Sequence, residues 1–151
     1  MIAVRPATHD TVDQLLTLSE DMDRFYGATE LDPFVLRRGQ LHDALFSDLP
    51  AAHSLLAFDG ETAVGFAAYS FLWPAVGLTR SLYLKELFVS QVHRRRGVGR
   101  ALMDSVLDVA RKHGCSRVEW TTESDNSAAQ AFYKTFGVEP NGSKLFYRLE
   151  Q

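Results

Sequence analysis

Ten residues, His93 to Leu102, read H-R-R-R-G-V-G-R-A-L: three adjacent arginines, two glycines spaced G-x-G, and the start of an apolar run at helical spacing. Those residue types in that order suit an anion. A helix N-terminus leaves its first amide N–H groups unpaired and carries the positive end of the helix dipole. Gly97 and Gly99 lack a Cβ and let a phosphate approach the main chain, while arginine adds charge-assisted hydrogen bonds of roughly 1.5–3 kcal/mol each. Two plainer readings stand beside a phosphate cradle. A basic run can be a solvated surface or a nucleic-acid patch, and glycines before a helix can simply relieve crowding in a tight turn.

The surrounding elements decide whether those amides point outward together. "SLYLKELFV" (Ser81 to Val89) reads as a strand, and Val98, Leu102, Val106 and Val109 keep a helical period until Gly114, so the arginine run lies between a strand and a helix. Upstream, "IAVRPA" is a strand, and Thr8 is placed to cap a helix whose stripe is Val12, Leu15, Leu16, Leu18 and Met22. A second helix starts near Asp32-Pro33 with Leu36, Leu41, Leu45 and Phe46 on its apolar side, and Pro50 stops it. "AHSLLAFDG" and "TAVGFAAYSFLW" form a hairpin through Asp59-Gly60-Glu61. "SRVEWTT" is a strand, "NSAAQAFYKTFG" a helix begun by Asn126 and ended by Gly137, and "KLFYRLE" a last strand. The order β-α-α-β-β-β-α-β-α-β makes a mixed α/β domain.

Composition narrows the classes of function. A length of 151 residues suits a single domain, residues 1–151, and 46% hydrophobic with 23% charged residues is ordinary for a globular chain. The net charge of −3 argues against a protein built to coat nucleic acid or an anionic membrane, so the positive cluster is local. One cysteine, Cys115, excludes an intrachain disulfide and suits a reducing compartment; beside Gly114 it reads as a small residue between elements rather than a nucleophile. The start lacks the apolar core of a signal peptide and no run is long enough to span a membrane, so a cytoplasmic protein is expected.

The phosphate ligand can be narrowed too. A nucleotide-hydrolysing loop needs G-x-x-x-x-G-K-S/T, which is absent, and the dinucleotide fingerprint G-x-G-x-x-G is not completed. A pyrophosphate without either unit suggests coenzyme A. Here the chain resembles the GNAT superfamily of N-acetyltransferases. Arg94-Arg95-Arg96-Gly97-Val98-Gly99 is similar to its R/Q-x-x-G-x-G/A acetyl-CoA motif, "LYLKELFV" to the strand before it, and "NSAAQAFYKTFG" to the downstream helix with Asn and Phe-Tyr-x-x-x-Gly. The resemblance implies a GNAT fold: a central mixed, mostly antiparallel sheet, splayed between the fourth and fifth strands and flanked by about four helices.

It also implies roles. Main-chain amides from Arg95 through Arg96, Gly97, Val98 and Gly99 to Arg100 would hold the pyrophosphate of acetyl-CoA, with Arg94 opening the motif. Phe88 and Val89 would offer main-chain groups to the pantetheine arm, and their side chains read equally as strand core. Asn126 stands where the family has an asparagine near the pantetheine, and is equally a plain helix cap. Phe132 belongs to the same motif as Tyr133, which matches the phenol that protonates the leaving thiolate; an aromatic at helical spacing is otherwise core. The polyamine acetyltransferases, which the chain resembles around "LYLKELFV", carry Glu-Asp where this chain has Lys85 and Glu86. Lysine is a poor base, so Glu86 is the candidate, provided a bulge turns it, because strand alternation puts it opposite Lys85.

For the acceptor, Glu20, Asp21, Asp23, Glu30 and Asp32 around the first two helices favour a cationic amine, or are only a solvated helix face; Phe25 and Tyr26 line a pocket or merely pack. The resemblance thus implies transfer of an acetyl group to a primary amine of a small molecule (a diamine, polyamine or amino-acid-like compound), with no metal, no nucleic acid, no membrane and a homodimer as a common family state. A protein or peptide amine as acceptor, or an acyl-CoA-binding domain without catalysis, stays open.

Overall fold

The apolar runs separated by turn residues assemble into one sheet in the computed structural model, which describes residues 1–151. The chain forms two compact units, Met1–Trp120 and Thr121–Gln151. The first holds β1 (Ile2–Pro6), α1 (Val12–Phe25), α2 (Phe34–Phe46), β2 (His53–Asp59), β3 (Thr62–Leu72), β4 (Arg80–Val89), α3 (Val98–Lys112) and β5 (Cys115–Glu119). The strands lie in chain order β1-β2-β3-β4-β5. The first four pair antiparallel, and α3 crosses over to place β5 parallel to β4. The β2–β3 hairpin turns at Gly60, whose φ of +63° a Cβ would strain.

Period two puts Leu56, Phe66 and Phe88 in one row across β2, β3 and β4, and α1 sets Leu15 and Leu18 against that row. Each such side chain contributes about 1.5–3 kcal/mol by leaving water. The helix stripe was legible, but its entry differs from the expectation: His9–Thr11 is a 3-10 turn, and the Thr8 N–H donates to Thr11 Oγ1 at 2.9 Å. Pro33 is the cap before α2 rather than its first residue, and of α2's expected apolar side Leu41 and Leu45 pack against the core. On the other sheet face α3 buries Val98, Leu102, Met103 and Val106. Gly65 permits that packing: a Cβ there would lie 2.8 Å from Phe88 O, 3.2 Å from Val98 Cγ1 and 3.3 Å from Leu102 Cδ1.

Two irregularities in β4 matter most. Ala68 pairs with Glu86 but Tyr69 pairs with Leu84, so Lys85 is the extra residue of a bulge. Without it Glu86 would follow Leu82 and Leu84 onto the face of Tyr69 and Phe71. With it, Glu86 shares the α1 face with Phe66 and Phe88. The second irregularity is the expected splay. β5 pairs β4 only from Arg80 to Tyr83, so Leu84–Val89 runs on without a β5 neighbour.

The second unit contains α4 (Ser127–Lys134). Asn126 caps it, its Oδ1 accepting from the Ala129 N–H at 3.1 Å, and Gly137 follows at φ +78°. Lys144–Glu150, read as a last strand, carries no strand assignment within this unit. A strand needs a neighbour for its ladder, and the unit taken by itself holds none.

Candidate functional site

β4 ends at Val89, and a pinned turn leads out of it. The Ser90 N–H donates to Val64 O at 2.9 Å, the His93 N–H to Ser90 O at 2.9 Å, and Ser90 Oγ shares a hydrogen bond with His93 Nδ1 at 2.7 Å. The chain then takes two left-handed residues, Arg95 at φ +63° and Gly97 at φ +81°. A non-glycine residue there costs roughly 1–2 kcal/mol. α3 starts at Val98, and its first turn closes with the Ala101 N–H on Gly97 O at 3.0 Å. The amides of Val98 and Gly99 precede that bond and point along the axis of a 15-residue helix. A Cβ at Gly97 would meet no atom within 4 Å, so the protein leaves the outer side of this turn open. Unpaired amides at a helix N-terminus can hold an anion.

The arginines divide the work. Arg94 turns inward: its Nε–H donates to Val89 O at 3.0 Å, and its guanidinium lies 4.3 Å from the Phe25 ring centre and 5.6 Å from that of Phe88. It braces the loop against α1 and the end of β4. Arg95, Arg96 and Arg100 keep their side chains at the loop surface. Val98 is buried and anchors the helix start.

On the α1 side, burial lifts the Glu86 carboxyl above its ordinary value near 4.5; the Lys85 ammonium opposes the rise and Asp23 adds to it. A carboxylate that titrates nearer neutrality is a better matched base. The Phe88 ring is buried in the core cluster, and Phe25 packs on it with ring centres 6.4 Å apart. Tyr26 meets Phe25 edge-on at 5.2 Å and lines a cavity of about 660 Å³ with Asp23, Glu30, Asp32 and Arg37. A second cavity of about 440 Å³ has Phe25, Phe88, Arg94 and Ser90 in its wall.

In the second unit, Phe132 and Tyr133 lie on the last turns of α4, rings 5.2 Å apart and edge-on, with Phe136 at 5.3 Å from Phe132. Asn126 uses Oδ1 as a cap and retains its amide N–H groups. No group of three or more His, Cys, Asp or Glu residues is arranged to hold a metal ion. Burial pushes the Cys115 thiol up, with Arg80 opposing, the opposite of the shift that activates a cysteine nucleophile. No helix is long and apolar enough to cross a membrane.

Sequence reasoning missed three contributors. Gly65 was visible as a glycine inside a strand pattern, a signal for close backbone approach. Arg94 was placed in the anion motif, and nothing local announces its turn toward Phe25. Asp23 was one acid among five, and nothing in the sequence marks it as the one whose charge helps to raise the Glu86 carboxyl.

Residues 16–138 match the model of the acetyltransferase (GNAT) family. The D-amino-acid N-acetyltransferase HPA3 of Saccharomyces cerevisiae is 38% identical over 95 residues, which cover 62% of this chain and 58% of that protein. The thialysine N-epsilon-acetyltransferase of Sus scrofa is 29% identical over 101 residues, 62% of this chain and 59% of that protein. The chain thus spans under three fifths of the length of these relatives. Among solved structures, a Vibrio cholerae integron cassette protein superposes with a TM-score of 0.90 at 29% identity, covering 99% of this chain and 93% of that one. The aminoglycoside acetyltransferase AAC(6')-Iy, in complex with a bisubstrate analog of coenzyme A, shares the fold with a TM-score of 0.80 at 21% identity, covering 100% and 99%.

Proposed function

The chain belongs to the acetyltransferase (GNAT) family, and on that premise we propose that it moves an acetyl group from acetyl-CoA to a primary amine of a small molecule. One juxtaposition carries the reading. β4 loses its β5 neighbour after Tyr83, and the strand end so exposed leads through the pinned Ser90–His93 turn to the left-handed residues that open α3. A linear ligand with an amide-bearing arm and a pyrophosphate fits a free strand edge followed by a helix N-terminus. The open space before Gly97 satisfies the same requirement, because a Cβ would fill it. The family match crosses from the first unit into the second, and we take both as parts of one acetyltransferase domain.

The residues divide the labour as follows. The amides of Val98 and Gly99, with the Arg95–Arg100 loop around them, hold the pyrophosphate. Phe88 and Val89 serve the pantetheine arm at the end of β4 that has no β5 neighbour, where the Val89 carbonyl already accepts from Arg94, and the family motif assigns Asn126 and Phe132 to the donor as well. Glu86, directly or through water, takes the proton that the amine nitrogen sheds as the C–N bond forms. Tyr133 gives its phenolic proton to the sulfur as the C–S bond breaks, so atoms and charge balance in one transfer.

The test is thiol release from acetyl-CoA over a panel of diamines, amino acids, aminoglycosides and peptides. Release above the hydrolysis rate with a small primary amine is the expected result. Tight acetyl-CoA binding with no release on any amine would leave an acyl-CoA-binding domain instead.

A further inference from the structure

We propose that Lys85 is a self-acetylation site: acetyl-CoA lying along the end of β4 gives its acetyl group to the Lys85 nitrogen when no amine acceptor is present. The inference rests on the acetyl-CoA part of the function proposed above and goes beyond it, to a modification of the chain itself. Three observations carry it. First, Lys85 is the extra residue of the β4 bulge and pairs with no residue of β3, and β5 has already parted from β4 after Tyr83. Neither neighbouring strand covers it, and the residue is exposed. Second, its place along the strand matches the reactive end of the donor. With the pyrophosphate at the start of α3, the pantetheine arm runs back along the unpaired stretch Leu84–Val89 and brings the thioester toward the splay. Lys85 lies four residues before Val89, about 13 Å along a strand, which is the reach of an extended pantetheine arm. Third, its ammonium enters no ion pair, while the same bulge sets the assigned proton acceptor, Glu86, next to it in the chain.

The step balances. The Lys85 ammonium loses one proton to the Glu86 carboxylate, which passes it to water. The neutral nitrogen attacks the acetyl carbonyl carbon, the C–N bond forms and the C–S bond breaks. The second proton that the nitrogen sheds ends on the sulfur, so the products are an amide on Lys85, the free thiol of coenzyme A and one released proton. A nitrogen carried by the strand that holds the donor reacts as if at high local concentration. The other lysines lack that placement or that freedom. Lys112 stands at the end of α3 opposite the Gly97 turn, and Lys134 pairs with Glu139 at 3.9 Å. Acetylation turns the Lys85 cation into a neutral amide and so removes the charge that opposes the rise of the Glu86 carboxyl. A modified chain therefore holds a proton on Glu86 to higher pH.

The experiment incubates the full chain with acetyl-CoA and no amine, and follows acetyl groups on its lysines by peptide mass spectrometry. Lys112, Lys134 and Lys144 report uncatalysed acylation in the same samples. Lys85 should be acetylated about tenfold faster than these three or more, at a rate per chain that does not depend on protein concentration. Lys85→Arg should leave only the slow labelling of the other lysines. A Lys85 rate within about threefold of theirs, or one that rises in proportion to protein concentration, overturns the inference. If a small amine is acetylated by the same protein, the acetyltransferase reading then stands without it. No acetyl group on Lys85 and none on any amine overturns both.

Discussion

Replacing Gly97 by alanine separates the folding role of the α3 entry from its binding role. The backbone there has φ +81°, so a methyl group costs stability through local strain, about 1 kcal/mol. Nothing in the protein resists it, since no atom lies within 4 Å of the new Cβ. The melting temperature should therefore fall by only about 2–4 °C for a chain of this size. The ligand is affected more. The methyl group occupies the open outer side of the turn that leads to the Val98 and Gly99 amides, and one charge-assisted hydrogen bond to phosphate is worth roughly 1.5–3 kcal/mol. Losing it weakens coenzyme A binding about tenfold to a hundredfold. Calorimetric titration of the wild type and Gly97→Ala with coenzyme A, paired with scanning calorimetry of each, measures both quantities on the same samples. A dissociation constant within twofold of wild type, in a variant whose melting point falls as expected, would refute the placement of the pyrophosphate at this helix end.

Gly65→Ala should behave oppositely, because its Cβ lies 2.8 Å from a backbone carbonyl that cannot rotate away. Urea denaturation should show a loss of roughly 1–3 kcal/mol, and unaltered stability would mean that β4 and α3 do not approach Gly65 as closely as described. For Glu86, a carboxyl whose folded value is raised binds more protons folded than unfolded, so it makes stability fall as pH rises from near 4.5 through the raised value. Glu86→Gln removes that loss, so its stability relative to wild type should grow from pH 4 to pH 7 in denaturation series, and a flat difference would contradict the burial. Tyr133→Phe keeps the ring and removes the proton; kcat should drop roughly 10²–10⁴-fold with little change in amine KM, and a drop under about threefold would make Tyr133 a packing residue.

What could be read locally was read from the residues. Asp59-Gly60 announces a hairpin because few residues tolerate the turn's positive φ, and the turn needs no distant partner. The α3 stripe and the Gly97 entry are legible for the same reason, as period and cap are properties of neighbours in sequence. The splay between β4 and β5 was reached through the family resemblance, since no local pattern says where two parallel strands part. Tertiary contacts decided the rest. A bulge is a mismatch between two strands, so the face taken by Glu86 depends on β3 as much as on β4. Arg94 carries the same type and charge as Arg95, and only the approach of Phe25 from α1 and the free carbonyl of Val89 turn it inward. "KLFYRLE" has strand propensity, but propensity does not supply the ladder a strand requires. The raised Glu86 carboxyl has the same origin, because burial and the charges of Lys85 and of Asp23 on α1 act through space and not along the chain.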